Sequence, residues 1–307
     1  MDAIEKTLLQ TVADLHEVPE GAYNIRENGK SVARSSSANI EIVTKTEAGK
    51  PGIDIIIQPH TKNESVHIPV ILSQSGLKET VYNDFYIGEG AEVLIVAGCG
   101  IHNCGVQDSE HSGIHTFHVG KNAKVKYVEK HYAQGEGTGE KIMNPTTEVY
   151  VEEGGSIEME TTQIKGVDST HRITRAKLKK NASLVVREKI YTHGKQIATT
   201  DFSVDLDGEN SSADLVSRSV ATENSHQGFN AVINGNTKCT GHSECDAIIM
   251  DNGTVTALPA LTANNVDAAL IHEAAIGKIA GEQLIKLMTL GLSEQEAEEQ
   301  IIQGFLK

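Results

Sequence analysis

Along most of this chain apolar and polar residues alternate at every second position. VKYVEKHY (125–132) and SIEMETTQI (156–164) are clear cases, and a period of two is the mark of half-buried β-strands. Within that texture a turn-then-strand unit recurs: GEGAEVLIV (88–96), GKNAKVKYV (120–128), EEGGSIEME (152–160), KKNASLVVR (179–187) and GENSSADLV (208–216). In each, a Gly/Asn turn leads through a small residue (Ala91, Ala123, Gly155, Ala182, Ser212) into an alternating strand. A period near ~30 residues carried by strands predicts a β-solenoid, each repeat adding more than one short strand. A β-sandwich also has short alternating strands, but the nearly constant period favours the solenoid.

Helical spacing appears only at the ends. Ile4, Leu8, Val12 and Leu15 share one face of a helix predicted over 2–15, stopped by Pro19 and Gly21. Near the C-terminus Ile276, Ile279, Ala280, Leu284, Leu287 and Met288 form a helical stripe that ends at Gly291. Ser293 and Glu296 then read as a capping box opening a last helix, with Ala297, Ile301, Ile302 and Phe305 on one face. The expected organisation is an N-terminal helical segment (1–34), a β-solenoid core (35–266) and a C-terminal two-helix module (267–307). Open solenoid ends need covering. The first helix is expected to serve one end, and the last two to pack on the other or dock a partner.

Composition narrows the function. A formal net charge of −15 over 307 residues argues against nucleic-acid binding, which needs clustered Lys and Arg. No apolar window reaches about 18 residues, so no membrane span is expected. The N-terminus lacks the basic start of a signal peptide, which makes the cytoplasm the expected compartment. The cysteines form two distant pairs, Cys99 with Cys104 and Cys239 with Cys245. In a cytosolic chain such pairs favour metal or sulfur chemistry over disulfides.

Cys99, His102, Cys104, His111, His115, His118 and His131 make the densest set of soft and borderline ligands. Alternation in HSGIHTFHV puts His115 and His118 on opposite faces, so the two cannot chelate one ion. The competing reading is a polar corner with surface histidines. A second set holds Cys239, Cys245, His272 and Glu273, the last two read as opening the C-terminal helix. A lone buried cysteine is more often a small core hydrophobe, and a first-turn carboxylate more often a dipole partner.

Three ordered segments, HSECDAIIMD, IHEAAIGKIAGEQL and GLSEQEAEEQIIQGF, closely resemble the C-terminal part of SufB, the scaffold of the SUF iron–sulfur system. VAGCGIHN resembles the SufB segment EGCTAP, and the resemblance spans roughly residues 35–307. The paralogue SufD shares the fold but typically lacks the Glu after the His, so His272-Glu273 looks SufB-like. The chain is similar to a minimal, stand-alone SufB/SufD type.

The resemblance implies a right-handed parallel β-helix. By it, Cys245 is the cysteine of cluster assembly, Glu273 its companion ligand and His272 a neighbouring functional histidine. Cys99 would be the acceptor of persulfide sulfur. Cys104, His102, His111 and Cys239 remain as possible further ligands. It also implies a homodimer or a heterodimer with a paralogue, and a SufC-like ABC ATPase docked on the C-terminal helices through Ile276, Ile279, Leu284 and Leu287. The sulfur donor and the apo-protein acceptors would be further partners. The expectation is therefore a non-enzymatic scaffold carrying a transient Fe–S cluster. The alternatives are a SufD-like structural partner without cluster ligands, and a metal-dependent enzyme built on the histidines.

Overall fold

The structure is a computed structural model described for residues 3–15, 19–164 and 166–307. Asp2, the first residue of the predicted N-terminal helix, lies outside the described residues. Helix α1 (Ala3–Ala13) precedes two antiparallel pairs, β1 (Ala22–Glu27) with β2 (Lys30–Ser35) and β3 (Ile40–Thr44) with β4 (Gly52–Ile57). The winding part begins with β5 (Glu64–Leu72), β6 (Lys78–Ile87), β7 (Glu92–His102), β8 (Ser109–Val119) and β9 (Lys124–Gln134). It continues through β10 (Lys141–Met143), β11 (Thr146–Val151), β12 (Ser156–Ile164), β13 (Ser169–Leu178), β14 (Ser183–Thr192) and β15 (Ile197–Leu206). Last come β16 (Ser212–Ala221), β17 (His226–Gly235), β18 (Cys239–Ile249), β19 (Thr254–Ala263) and β20 (Ala268–Gly277), then α2 (Gly281–Met288) and α3 (Glu294–Phe305).

From β4 onward, with β10 and β11 taken together, successive strands alternate between two ten-stranded sheets. The first runs β2-β1-β5-β7-β9-β12-β14-β16-β18-β20 and the second β19-β17-β15-β13-β10-β8-β6-β4-β3, with β11 continuing β10. Two strands make one turn, and about eight turns make the β-solenoid. Between β10 and β11 sits Pro145, which has no N–H to give to the ladder.

The repeat read from the sequence is a stack of corners. Gly90, Asn122, Gly154, Asn181 and Asn210 all have positive φ, a conformation that Gly and Asn tolerate best. Each hands its N–H to the next turn, as Asn181 does to the Glu209 carbonyl (2.9 Å) and Asn210 to that of Lys238 (2.7 Å). Ala91, Ala123, Gly155 and Ala182 follow these corners and fill the interior. In the fifth repeat the register pairs Ser183 with Ser212, so the matching residue is the buried Ser211 and not Ser212. At another corner Asn236 donates its side-chain amide to Asp207 (2.7 Å) and Asn264 donates its own to Asn236 (2.7 Å).

The ends depart from expectation. Helix α1 does not cover the open N-terminal end but packs against the outside of the first sheet through Leu8, Leu9, Val12 and Ile71. It lies there because Gly98 faces outward on β7, and a Cβ at that position would run into the Val12 backbone. The antiparallel pairs β1–β2 and β3–β4 close that end instead. Strand β1 falls within 1–34, β2 reaches Ser35 and β20 lies within 267–307, so the first sheet outruns the 35–266 span on both sides.

At the other end, residues 268–277 pair with β18 as a strand, and helix starts only at Gly281. Ile276 is therefore a strand residue and Ile279 lies in the connection. Leu284 and Leu287 are half-buried, whereas Ile285, Met288 and Leu290 are the exposed apolar residues of this module. Helices α2 and α3 pack on each other, and the predicted capping box at Ser293 and Glu296 is present. No helix among the described residues is long and apolar enough to cross a membrane.

Candidate functional site

Strand alternation sends every second side chain inward, and several of the inward residues are polar. On β9 the inward set is Val125, Tyr127, Glu129, His131 and Ala133, all buried. Cys99 on β7 and His111 on β8 also point inward and are buried. His111 Nδ1 lies 3.1 Å from Glu79 Oε1, and Glu79 is held in turn by Arg26 at 3.0 Å. Glu129 receives a hydrogen bond from the Tyr127 hydroxyl (2.9 Å) and pairs with Arg172 of β13 (2.5 Å). On its other side Arg172 approaches Glu188 of β14 (3.7 Å). The two oxygens of Glu188 accept from Thr200 of β15 (2.9 Å) and Ser217 of β16 (2.8 Å).

The ladder registers make this a row. Glu129 pairs with Thr161, Thr161 with Glu188, Glu188 with Ser217, and Ser217 with Cys245. Cys99 pairs with His131 two residues further along β7 and β9. A polar track thus runs through the interior, from Cys99 near the N-terminal end to Cys245 in the penultimate turn.

The two terminal thiols of the track are tuned in opposite directions. Burial alone would raise Cys99, but the charge and hydrogen bond of His111, with those of His131, bring it down to about 7. His111 is correspondingly raised to about 10, the Cys99 thiolate and Glu79 outweighing burial. Burial pushes Cys245 up to about 12, helped by the nearby charges of Glu188 and Asp246. Burial also lowers His115 to about 4, leaving it neutral. Arg172 and His131 overcome burial to hold the Glu129 carboxyl well below its usual range, whereas burial raises Glu188. Cys99 therefore ionises around neutral pH, a thiolate beside an imidazolium above about 7, whereas Cys245 is a protonated thiol.

Around Cys245 the predicted ligands separate. Cys245 and His272 both point inward, on neighbouring strands, with Ser243 directly opposite His272 in the ladder. Ser243 Oγ and His272 Nδ1 are buried and have no hydrogen-bond partner, an arrangement that leaves donors and acceptors open. Glu273 falls on the opposite phase: it pairs with Glu244 on the outer face, its side chain 68% exposed. One protomer cannot bring Cys245 and Glu273 to the same face, because successive strand residues alternate.

Of the remaining candidates, Cys239 is a small filler of the apolar core. Cys104 is exposed, with its Sγ 3.1 Å from His102 Nε2. It does not join Cys99, which faces inward. His118 faces outward, stacked between Tyr86 and Tyr150. His111, His115 and His131 stand on inward strand positions and not at a surface corner, engaged with Glu79, Tyr127 and Glu129. The sequence reading missed Glu129, Arg172, Glu188 and Ser217. Their signal was a charged or polar residue in the buried phase of a strand, as in Val125-Tyr127-Glu129.

A parallel β-solenoid with an internal polar track joining two cysteines defines the class of the molecule. Residues 79–305 match the family model described as "SUF system FeS cluster assembly, SufBD core domain". The chain belongs to that family. It is 32% identical over 231 residues to an iron–sulfur cluster assembly SufBD family protein of Archaeoglobus fulgidus, covering 75% of this chain and 61% of that one. A SufBD family protein of Methanocaldococcus jannaschii is 29% identical over 265 residues, covering 85% of this chain and 83% of the relative. Against the iron–sulfur cluster assembly protein SufB of Bacillus subtilis the identity is 35% over 102 residues, covering 32% and 22%.

Proposed function

We propose that this protein is a scaffold on which an iron–sulfur cluster is built and from which it is passed on. The observation that carries the proposal is the track from the Cys99 thiolate to Cys245, which ends beside the unpartnered His272 and Ser243. A thiolate is the nucleophilic form of cysteine. Cys99 attacks the outer sulfur of a donor persulfide, the donor thiolate leaves, and the sulfur is carried toward Cys245. There the Cys245 thiolate, its proton released as iron binds, and an imidazole suit iron, and a mixed ligand set holds a cluster less firmly than four cysteines, which favours release.

The sequence carries no phosphate-binding loop of the GxxxxGK[ST] type. ATP hydrolysis accordingly comes from a SufC-like ABC ATPase docked on the C-terminal module, where Ile285 and Met288 of α2 and Leu290 just after it are exposed and apolar. The scaffold itself is not an enzyme in this reading. It acts in the cytoplasm as a homodimer or beside a paralogue, joined at the last turn. Glu273 then serves the cluster only across that joint or from the outer face.

Anaerobic reconstitution with ferrous iron and sulfide tests the proposal. The wild type should give an iron–sulfur absorption and Mössbauer spectrum, and Cys245→Ser should lose it while keeping its fold. A folded wild type that binds its ATPase but forms no cluster would leave the SufD-like structural role.

A further inference from the structure

The outer face of the last two turns carries a second group of ligating side chains, facing away from Cys245. His242 and Glu244 of β18 and Glu273 of β20 each offer a ligand atom, and these atoms lie within 4.8 Å of one another. His242 is held by its Nδ1, 2.7 Å from Asp214 Oδ1 on β16, and Asp214 is fixed by Arg187. This leaves Nε2 aimed toward Glu273 Oε2 at 3.6 Å, too long for a hydrogen bond and short enough for a shared ion.

Glu244 and Glu273 stand directly opposite each other in the ladder, where like charges are destabilising unless something lies between them. Asp246, the next outward residue on β18, places a third carboxylate on this face. His242 and Glu244 also line a groove of about 400 Å³ bounded by the C-terminal Lys307.

We propose that His242, Glu244 and Glu273 bind a first-row divalent cation on the outside of the solenoid, with Asp214 orienting the imidazole. One imidazole and two carboxylates are a borderline-to-hard donor set that suits Fe²⁺ or Mn²⁺ and disfavours the soft ions that thiolates select. The carboxylate behind the imidazole is the usual support of a ligating histidine. Exposed Glu273 has the freedom to close on an ion whose bonds are about 2.0–2.2 Å long. Naming ferrous iron as the ion in the cell rests on the scaffold reading, whereas the cation site rests on its own donor set. The sheet would then have an ion outside and a thiol inside, on residues adjacent in sequence.

The test is anaerobic titration of the full chain with Mn²⁺, followed by loss of the free-ion EPR signal and by coupling of bound Mn²⁺ to imidazole nitrogen. One saturable site per chain is expected. His242→Ala should abolish the nitrogen coupling, and both it and Glu244→Gln should weaken binding by about 100-fold. Asp214→Asn should weaken it by about 10–100-fold, the range for a second-sphere partner. Three results would overturn the inference: no saturable binding to the wild type, unchanged binding in both His242→Ala and Glu244→Gln, or loss of the site in Cys245→Ser. Reconstitution on the same samples keeps the two questions apart, since a cluster formed without Mn²⁺ binding sinks this site and leaves the scaffold standing.

Discussion

Cys99 and Cys245 occupy the same kind of position, an inward strand residue in a closed interior, yet their neighbours make them chemically different. Lowered by His111 and His131, the Cys99 thiolate contributes stability that is complete above its ordinary value near 9 and is lost as pH falls through about 7. His111 behaves in the opposite sense, its contribution complete below 6.5 and lost as pH rises through about 10. The ion pair therefore occupies the window from about 7 to about 10. Persulfide uptake by Cys99 from polysulfide, followed by mass spectrometry, should rise with pH through a midpoint near 7 and level off before pH 9. His111→Ala should move the rise upward and slow uptake at neutral pH by about tenfold for each pK unit gained. A wild-type rate still climbing at pH 9 would contradict the pairing. The cysteines and histidines of this network stood out in the sequence by residue type. Glu129 did not, because Val128 and Tyr132 in YVEKHY are apolar in the other phase and mask which face is buried. Arg172 and Glu188 were hidden for a related reason: each stands among other charges on its strand, and the partner that marks it as buried lies in another turn.

At the scale of elements, the stacked left-handed corners made the solenoid legible. The Gly/Asn signal is local, and each repeat carries it for the same steric reason. Replacing Asn181 (φ 56°) with Val should cost about 1–2 kcal/mol in urea denaturation, and Asn181→Gly should be close to neutral. Equal losses for both would mean that the Asn side chain, and not the backbone conformation, stabilises the corner. Strand β20 was misread for a physical reason as well. IHEAAIGKIAGEQL is Ala-rich and has apolar residues at helical spacing, so local propensity favours helix as far back as His272. The free edge of β18 supplies ten paired positions from Cys239 to Ile248, and strand preference is set by such context more than by the residues themselves. Helix α1 was correctly placed along the chain, but its docking position depends on the outward phase of Gly98, which becomes visible only with the register of β7.

For the whole molecule the two ends differ in kind. The N-terminal end finishes in antiparallel pairs, whereas the last turn presents two parallel edge strands with Leu261 and Ile276 exposed at the open interior. Unpaired, partly apolar edges of this length are templates for association. A second solenoid meeting this end would continue both sheets and bring two Cys245 sites toward each other. Leu261→Lys with Ile276→Lys should convert a dimer to a monomer in analytical ultracentrifugation, with the strand content kept in circular dichroism. A wild type that remains monomeric at high concentration would exclude self-pairing and leave a paralogue as the partner. The Asp207–Asn236–Asn264 corner bears on the chemistry as well as on the shape. In a pleated strand a one-residue slip exchanges its faces, so it would turn Cys245 out to water and drive Glu244 and Asp246 into the core. Three side chains with no chemistry of their own thus act as an index mark, keeping the sulfur side and the carboxylate side of the wall from trading places.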